Sequence, residues 1–442
     1  LLVSAAAGSG KTKVLVDRVV DRIRQEGKNI HEFLIITFTN AAAAELRSKI
    51  SAALSKALAA EPNNRHLRRQ LNLMHLAQIS TVHAFCGTLI RQYGYSLEVP
   101  SDYAMLEDAR REEMLNRTLS DLLEERYSSM TPEFSLLSDT LGAGRTDQAL
   151  ENLVRSLFEK MLSQPNPESW LHSIPLELEE QEEPGHTAFG QILLEDTRQR
   201  IGWLIDRHSW AIAQMHGDEK LTPKYLPAYE AQKHALTAIL KALDGPWDQI
   251  APLLTLDYPR LVVQKYPDPG RLNAIKAVRT DMKKQLEKLS ALFSRPGTAL
   301  LQEQNQLAPA LRVLCDLAQT LYRRFSAEKR RKNLLDFSDQ EHLAIRLLLD
   351  TKGHPTDVAR EVAQRYAEIM VDEYQDSNRV QELIYTAIVR GNDENRFLVG
   401  DVKQSIYGFR QAEPALFLEK YQRYTPAERA ANGEPRKLIL SK

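Results

Sequence analysis

Cysteine is almost absent from this chain. Among 442 residues only Cys86 and Cys315 occur. They lie far apart, in no Cys-x-x-Cys or Cys/His spacing, which argues against a zinc site or a disulfide framework and fits a reducing cytoplasm. Also missing is any apolar run near the ~20 residues that span a bilayer, so no membrane segment is expected. There is no internal repeat, and the only low-complexity text, Ala41–Ala44, follows from the helix propensity of alanine. No initiator methionine and no basic leader with a cleavage site opens the chain, which starts Leu1-Leu2-Val3-Ser4, so Leu1 is not expected to be the native start.

Net charge is lacking too, at -1, but only in total. Residues 1–100 carry 13 Lys+Arg against 7 Asp+Glu, whereas residues 101–200 carry 9 against 21. A polyanionic partner would therefore meet the basic ends and avoid the acidic middle, because phosphate contacts come from local cations and backbone donors. The length exceeds what one hydrophobic core usually serves, so two or three compact units are expected.

Short apolar runs rich in β-branched or aromatic residues, Phe33–Phe38, Ile79–Val82, Ile369–Val371 and Phe397–Val399, each end in polar text and read as buried parallel strands. Leu1–Val3 reads as the stub of a fifth. Helical patterns such as Lys11–Arg24 and Ala41–Leu58 lie between them, the alternation of an α/β sheet. From about Ser101 to Tyr322 the pattern becomes long amphipathic helices, Arg110–Tyr127 and Ala274–Phe293 among them. The acidic run Glu177–Glu183 reads as solvated loop. The expectation is thus an α/β core in two pieces, 1–105 and 321–442, interrupted by an all-helical insertion over 106–320.

Chemistry concentrates where strands end. Ala5-Ala6-Ala7-Gly8-Ser9-Gly10-Lys11-Thr12, followed by Lys13, leaves a strand and opens a helix, the context of a phosphate-binding loop. Small residues let backbone N–H groups close on phosphates, Lys11 would reach the β- and γ-phosphates, and Thr12 would ligate Mg²⁺. Ala5 stands where the general pattern has glycine. At the end of another strand come Asp372-Glu373-Tyr374-Gln375-Asp376, with Asp372 as a second Mg²⁺ ligand and Glu373 as the base for an attacking water. Phe397–Arg410 starts as a strand and ends in alternating aromatics. Gln404 could sense a γ-phosphate, while Tyr407 and Phe409 could stack on bases or pack in the core. Thr37-Phe38-Thr39-Asn40 and Ser80-Thr81-Val82-His83-Ala84-Phe85 each put small donors beside an aromatic after a strand, which suits gripping a nucleic-acid backbone and stacking a base and equally suits helix capping.

Taken in order, these segments resemble the motif series of superfamily 1A DNA helicases. Finer text, Leu335-Asp336-Phe337-Ser338-Asp339-Gln340-Glu341-His342 and Ala412–Tyr421, is similar to helicase-nucleases of the AddA type rather than to UvrD, Rep or PcrA. The resemblance is specific over residues 1–100 and 334–442 and general within the insertion. It implies a RecA-like P-loop NTPase domain and ATP-driven 3′-to-5′ translocation on single-stranded DNA. Lys11, Thr12, Asp372, Glu373 and Gln404 would then serve ATP and Mg²⁺. Phe38, Thr39, Asn40, Thr81, His83, Tyr407 and Phe409 would line the DNA path, and Arg410 would link the two. It also implies contact with duplex DNA, a heterodimer with an AddB-like subunit in the parent protein, double-strand-break repair, and a nuclease domain elsewhere in that parent.

The family's adenine-reading glutamine motif is expected upstream of Leu1. Arg436–Lys442 reads as the strand leading to an arginine finger on a second motor domain, so residues 1–442 alone are expected to hydrolyse ATP very slowly. Two other readings stay open at this level: a repair helicase without nuclease, and a non-catalytic DNA-binding scaffold with a vestigial ATP site.

Overall fold

The structure, a computed structural model, describes residues 1–5, 10–141, 148–179, 181–261, 266–391, 393–405, 412–431 and 433–440, the side chains of 177–179 excepted. Two compact units emerge, one of residues 1–129, 147–170 and 317–442, the other of residues 130–146 and 171–316.

The first unit is built on strands β1 (Leu2–Ala5), β2 (Phe33–Thr37), β3 (Gln78–Thr81), β4 (Ala104–Met105), β5 (Leu334–Leu335), β6 (Glu368–Val371), β7 (Arg396–Gly400), β8 (Thr425–Pro426) and β9 (Arg436–Leu440). Seven of them form a parallel sheet in the order β3-β2-β6-β7-β1-β9-β8, and β4 pairs with β5 separately. Residues alternate between two cores along each strand. Leu2, Leu34, Ile36, Ile369, Val371 and Leu398 face one core, and Val3, Phe33, Ile35, Met370, Phe397 and Val399 face the other. Because both faces are covered, these central strands read as nearly unbroken hydrophobic runs.

The first core is closed by helices Val82–Tyr93, Phe337–Leu348, Asp357–Arg365 and Arg379–Ala387, the second by Lys11–Glu26, Asn40–Ala60 and Arg65–Asn72. Because the strands are parallel, all their carboxyl ends open on one edge. The segments after β1, β2, β3, β6 and β7 meet there.

The second unit is helical. Helices Ala188–Met215, Thr222–Ala242 and Pro269–Leu292 bury one core around Leu204, Ile239, Met282 and Trp247 and another around Tyr225, Tyr229 and Val278. His208 is fully buried against Tyr229, its Nδ1 2.8 Å from the Leu204 carbonyl, and burial pushes its pKa down. The acidic run departs from expectation, since helix Pro167–Glu179 takes in residues 177–179. Glutamate is a good helix former, and that preference carries the helix into the run despite its repulsions. Among the described residues no helix is long and apolar enough to cross a membrane.

Candidate nucleotide site and adjoining cleft

The site starts from a glycine. Gly10 caps helix Lys11–Glu26 at φ 87°, a conformation that costs an L side chain about 1–2 kcal/mol, and its carbonyl accepts the Val14 N–H at 3.0 Å to begin the helix. Ala5 ends β1 and is buried. Ala6, Ala7, Gly8 and Ser9 lie outside the described residues, as do Tyr407, Phe409 and Arg410. Thr12 is half-buried and Lys13 exposed, both in the first helical turn.

Lys11 reaches across to two other strand ends. Its Nζ donates to Glu373 Oε2 at 2.6 Å and to Gln404 Oε1 at 3.1 Å. Both acceptors lie more than 360 positions from the lysine in the chain, yet they converge on its one ammonium. The topology explains it: β7 lies between β1 and β6, so the carboxyl ends of these three strands are neighbours. Glu373 adopts φ 49°, strained for a residue with a side chain. Its N–H donates to Asp372 Oδ1 at 3.0 Å, while the Asp372 N–H donates to the Ile36 carbonyl at 2.9 Å and ties the pair to β2.

Burial raises the Asp372 pKa to about 6; the Glu373 charge adds to the rise, and the Glu373 N–H and Lys11 oppose it. Asp376 is likewise raised to about 6, by burial first and then by Glu373, and its Oδ1 has no hydrogen-bond partner among the described residues. A cation beside these carboxylates would relieve both causes.

On the same edge a cleft of about 570 Å³ is lined by Phe38, Thr39, Asn40, Thr81, His83, Asp372 and Glu373. Thr39 and Thr81 are both N-caps, accepting from Ala42 N at 3.1 Å and Ala84 N at 3.3 Å. A capping hydroxyl keeps its own O–H to give away, so capping and phosphate contact are compatible. His83 lies 4.6 Å from the Phe337 ring, centroid to centroid, and its Nε2 is 3.1 Å from Glu341 Oε1. Glu341 is nearly buried and also accepts from Gln381 Nε2 at 2.8 Å.

The sequence model described as the UvrD/REP helicase N-terminal domain matches residues 1–425. The chain belongs to the UvrD/REP helicase family. It is 35% identical over 439 residues to a protein named as an ATP-dependent helicase/nuclease subunit in Staphylococcus aureus (strain bovine RF122 / ET3-1), and 34% identical over 439 residues to one of the same name in Staphylococcus carnosus (strain TM300). Each match takes in 96% of this chain and 35% of the relative, so the chain spans about a third of the length of these curated relatives.

Two features of this UvrD/REP domain escaped the reading of its sequence. Phe337, 50% exposed at the cleft, stands in a segment noted for its likeness to relatives and not for its chemistry. An exposed aromatic at a helix start after β5 was the available signal. Gln375, 1% exposed, gave a weaker one, a polar residue two places after a candidate base.

Proposed function

We propose that this chain is the ATP-hydrolysing motor domain of a DNA helicase that moves 3′ to 5′ along a single strand. The parent protein would be an AddA-type helicase-nuclease, working with an AddB-like partner on broken duplex DNA in the bacterial cytoplasm. The observation that carries the reading is the convergence of Lys11, Glu373 and Gln404 beside a cleft lined with hydroxyls, amides and aromatics.

In this reading the turn Ala5–Gly10, with Lys13 following, cradles the phosphates, and Lys11 offers them an N–H bond, having three to give and two in use. Thr12 and Asp372 hold Mg²⁺, which supplies charge neutralisation at the β- and γ-phosphates. One carboxylate and one hydroxyl from the chain would be enough to hold an ion that prefers few protein oxygens. The Asp372 carboxyl fits that role, since burial and then the neighbouring Glu373 charge disfavour its anion, and a cation would offset both. Glu373 accepts the proton of the attacking water, Gln404 reports the γ-phosphate, and Arg410 passes the signal onward. Thr39, Asn40 and Thr81 contact the DNA backbone, and Phe38, His83, Tyr407 and Phe409 meet bases or sugars.

The test is ATP-dependent degradation of linear duplex DNA by the full-length protein with its AddB-like partner. Degradation abolished by Lys11→Ala supports the reading. ATP hydrolysis stimulated by single strands without DNA cleavage would point to a helicase lacking nuclease, and no ATP hydrolysis at all would remove the motor.

A further inference from the structure

Lys11, Glu373, Gln375, Asp401 and Gln404 close a hydrogen-bonded ring. Besides the two bonds from Lys11, Gln375 Nε2 donates to Glu373 Oε2 at 2.8 Å, Gln375 Oε1 accepts from Asp401 N at 2.9 Å, and Gln404 Nε2 donates to Asp401 Oδ2 at 2.8 Å. The Gln375 amide can face only one way, because flipping it would set N–H against N–H and oxygen against carboxylate. It also explains Gly400. A Cβ there would lie 2.4 Å from Gln375 Oε1 and 3.0 Å from the Phe417 ring, so the amide rests on a position that must lack a side chain.

We propose that Gln375 is a positioning residue for ATP hydrolysis, its amide locking the Glu373 carboxylate to the backbone that leaves β7 so that base and γ-phosphate sensor share one geometry. The inference rests on the ATP-hydrolysis reading above. A glutamate side chain with 36% exposure has several torsions to hold, and Lys11 is the other group that holds it. Among the described residues, the hydrogen bonds to this carboxylate fall on Oε2. The same Nε2 lies 3.3 Å from Asp376 Oδ2, so the clamp also touches the neighbouring acid.

The experiment uses the full-length protein, with steady-state ATP hydrolysis on oligo-dT as readout. Gln375→Met removes the donor and keeps the length; kcat should fall roughly 10- to 100-fold, the loss of a hydrogen bond to a charged group, with KM for ATP changed less than about threefold. Gly400→Ala, which displaces the amide, should lower kcat in the same way, and the double variant should be no slower than the slower single one.

Gln375→Glu keeps the acceptor for Asp401 N and donates to Glu373 only when protonated. Its kcat relative to the parent protein should therefore recover as pH falls from about 8 to about 6, which a merely structural residue would not show, and this ratio decides the matter even if the methionine variant folds poorly. Parental kcat in Gln375→Met, additive losses in the double variant, or a pH-independent ratio in Gln375→Glu would each overturn the proposal while Glu373→Gln remains inactive. Should Glu373→Gln hydrolyse ATP normally, the underlying reading is the one that fails.

Discussion

Replacing Glu373 by glutamine should separate ATP binding from turnover. Glutamine keeps the shape of the side chain and an oxygen that can accept from Lys11 and Gln375, now at 2.6 Å and 2.8 Å from the carboxylate, so the lysine stays in place. What changes is one negative charge in a group of neighbouring carboxylates, Asp372, Glu373, Asp376 and Asp401. A phosphate held ~8 Å from that charge at an effective dielectric of ~20 would be relieved of ~2 kcal/mol. Because Glu373 is 36% exposed, solvent screening cuts this to ~1 kcal/mol, or about fivefold in affinity. Equilibrium binding of a fluorescent ATP analogue, beside single-turnover hydrolysis in the same preparation, measures both quantities. Binding equal to or up to about fivefold tighter than the parent's, with hydrolysis slowed by ~10²-fold or more, is expected of a lost general base. Weakened binding would show that Glu373 orders the phosphate site instead, and parental turnover would refute its role as base.

Asp372→Asn should stabilise the metal-free protein in a pH-dependent way. A carboxyl whose folded pKa is about 6 against an ordinary 3.8 contributes stability below pH ~4 that is lost as pH rises toward 6, so the advantage of asparagine should grow over that window to ~3 kcal/mol and then level off, as denaturant melts in EDTA would show. Arg396→Leu should cost ~3–5 kcal/mol, because it strips the partner from Glu382 at 2.7 Å and Asp393 at 2.9 Å in a buried cluster; an unchanged melting midpoint would contradict this. Thr39→Val should lose ~1 kcal/mol of stability with the N-cap whether or not DNA binds there, and only an added loss of single-strand affinity would tie its hydroxyl to phosphate. Phe409→Ala should lower single-strand affinity by ~1–3 kcal/mol if a base stacks on it, and a lowered melting temperature at constant affinity would assign the ring to packing.

Much of the sheet-bearing unit was legible in the chain because its signals are local. A strand buried on both faces must be apolar nearly throughout, so β2, β6 and β7 stood out within a residue or two of their limits. A glycine-rich turn before a helix, and acids directly after an apolar run, depend on neighbours in the sequence, and so Lys11 and the pair Asp372-Glu373 could be picked out unaided. Helix assignment was less informative about grouping. Helices Asp108–Ser129 and Gln148–Leu162 carry the same kind of apolar stripe as those of the helical unit, yet they belong with the sheet. A stripe says that a helix buries one face without saying against what.

The sequence by itself therefore determined which chemistry is available: an ammonium directly after a glycine-rich segment, a carboxylate pair at a strand end, an amide after another strand, and the family those segments belong to. Only the tertiary structure decided how they meet. Strand order is a property of pairing between distant segments, and placing β7 between β1 and β6 is what brings Lys11, Glu373 and Gln404 within hydrogen-bond reach. The clamp at Gln375 and the need for glycine at 400 belong to the same class. No spacing along the chain encodes them, because they arise from side chains packed across strands whose separation in space is unrelated to their separation in sequence.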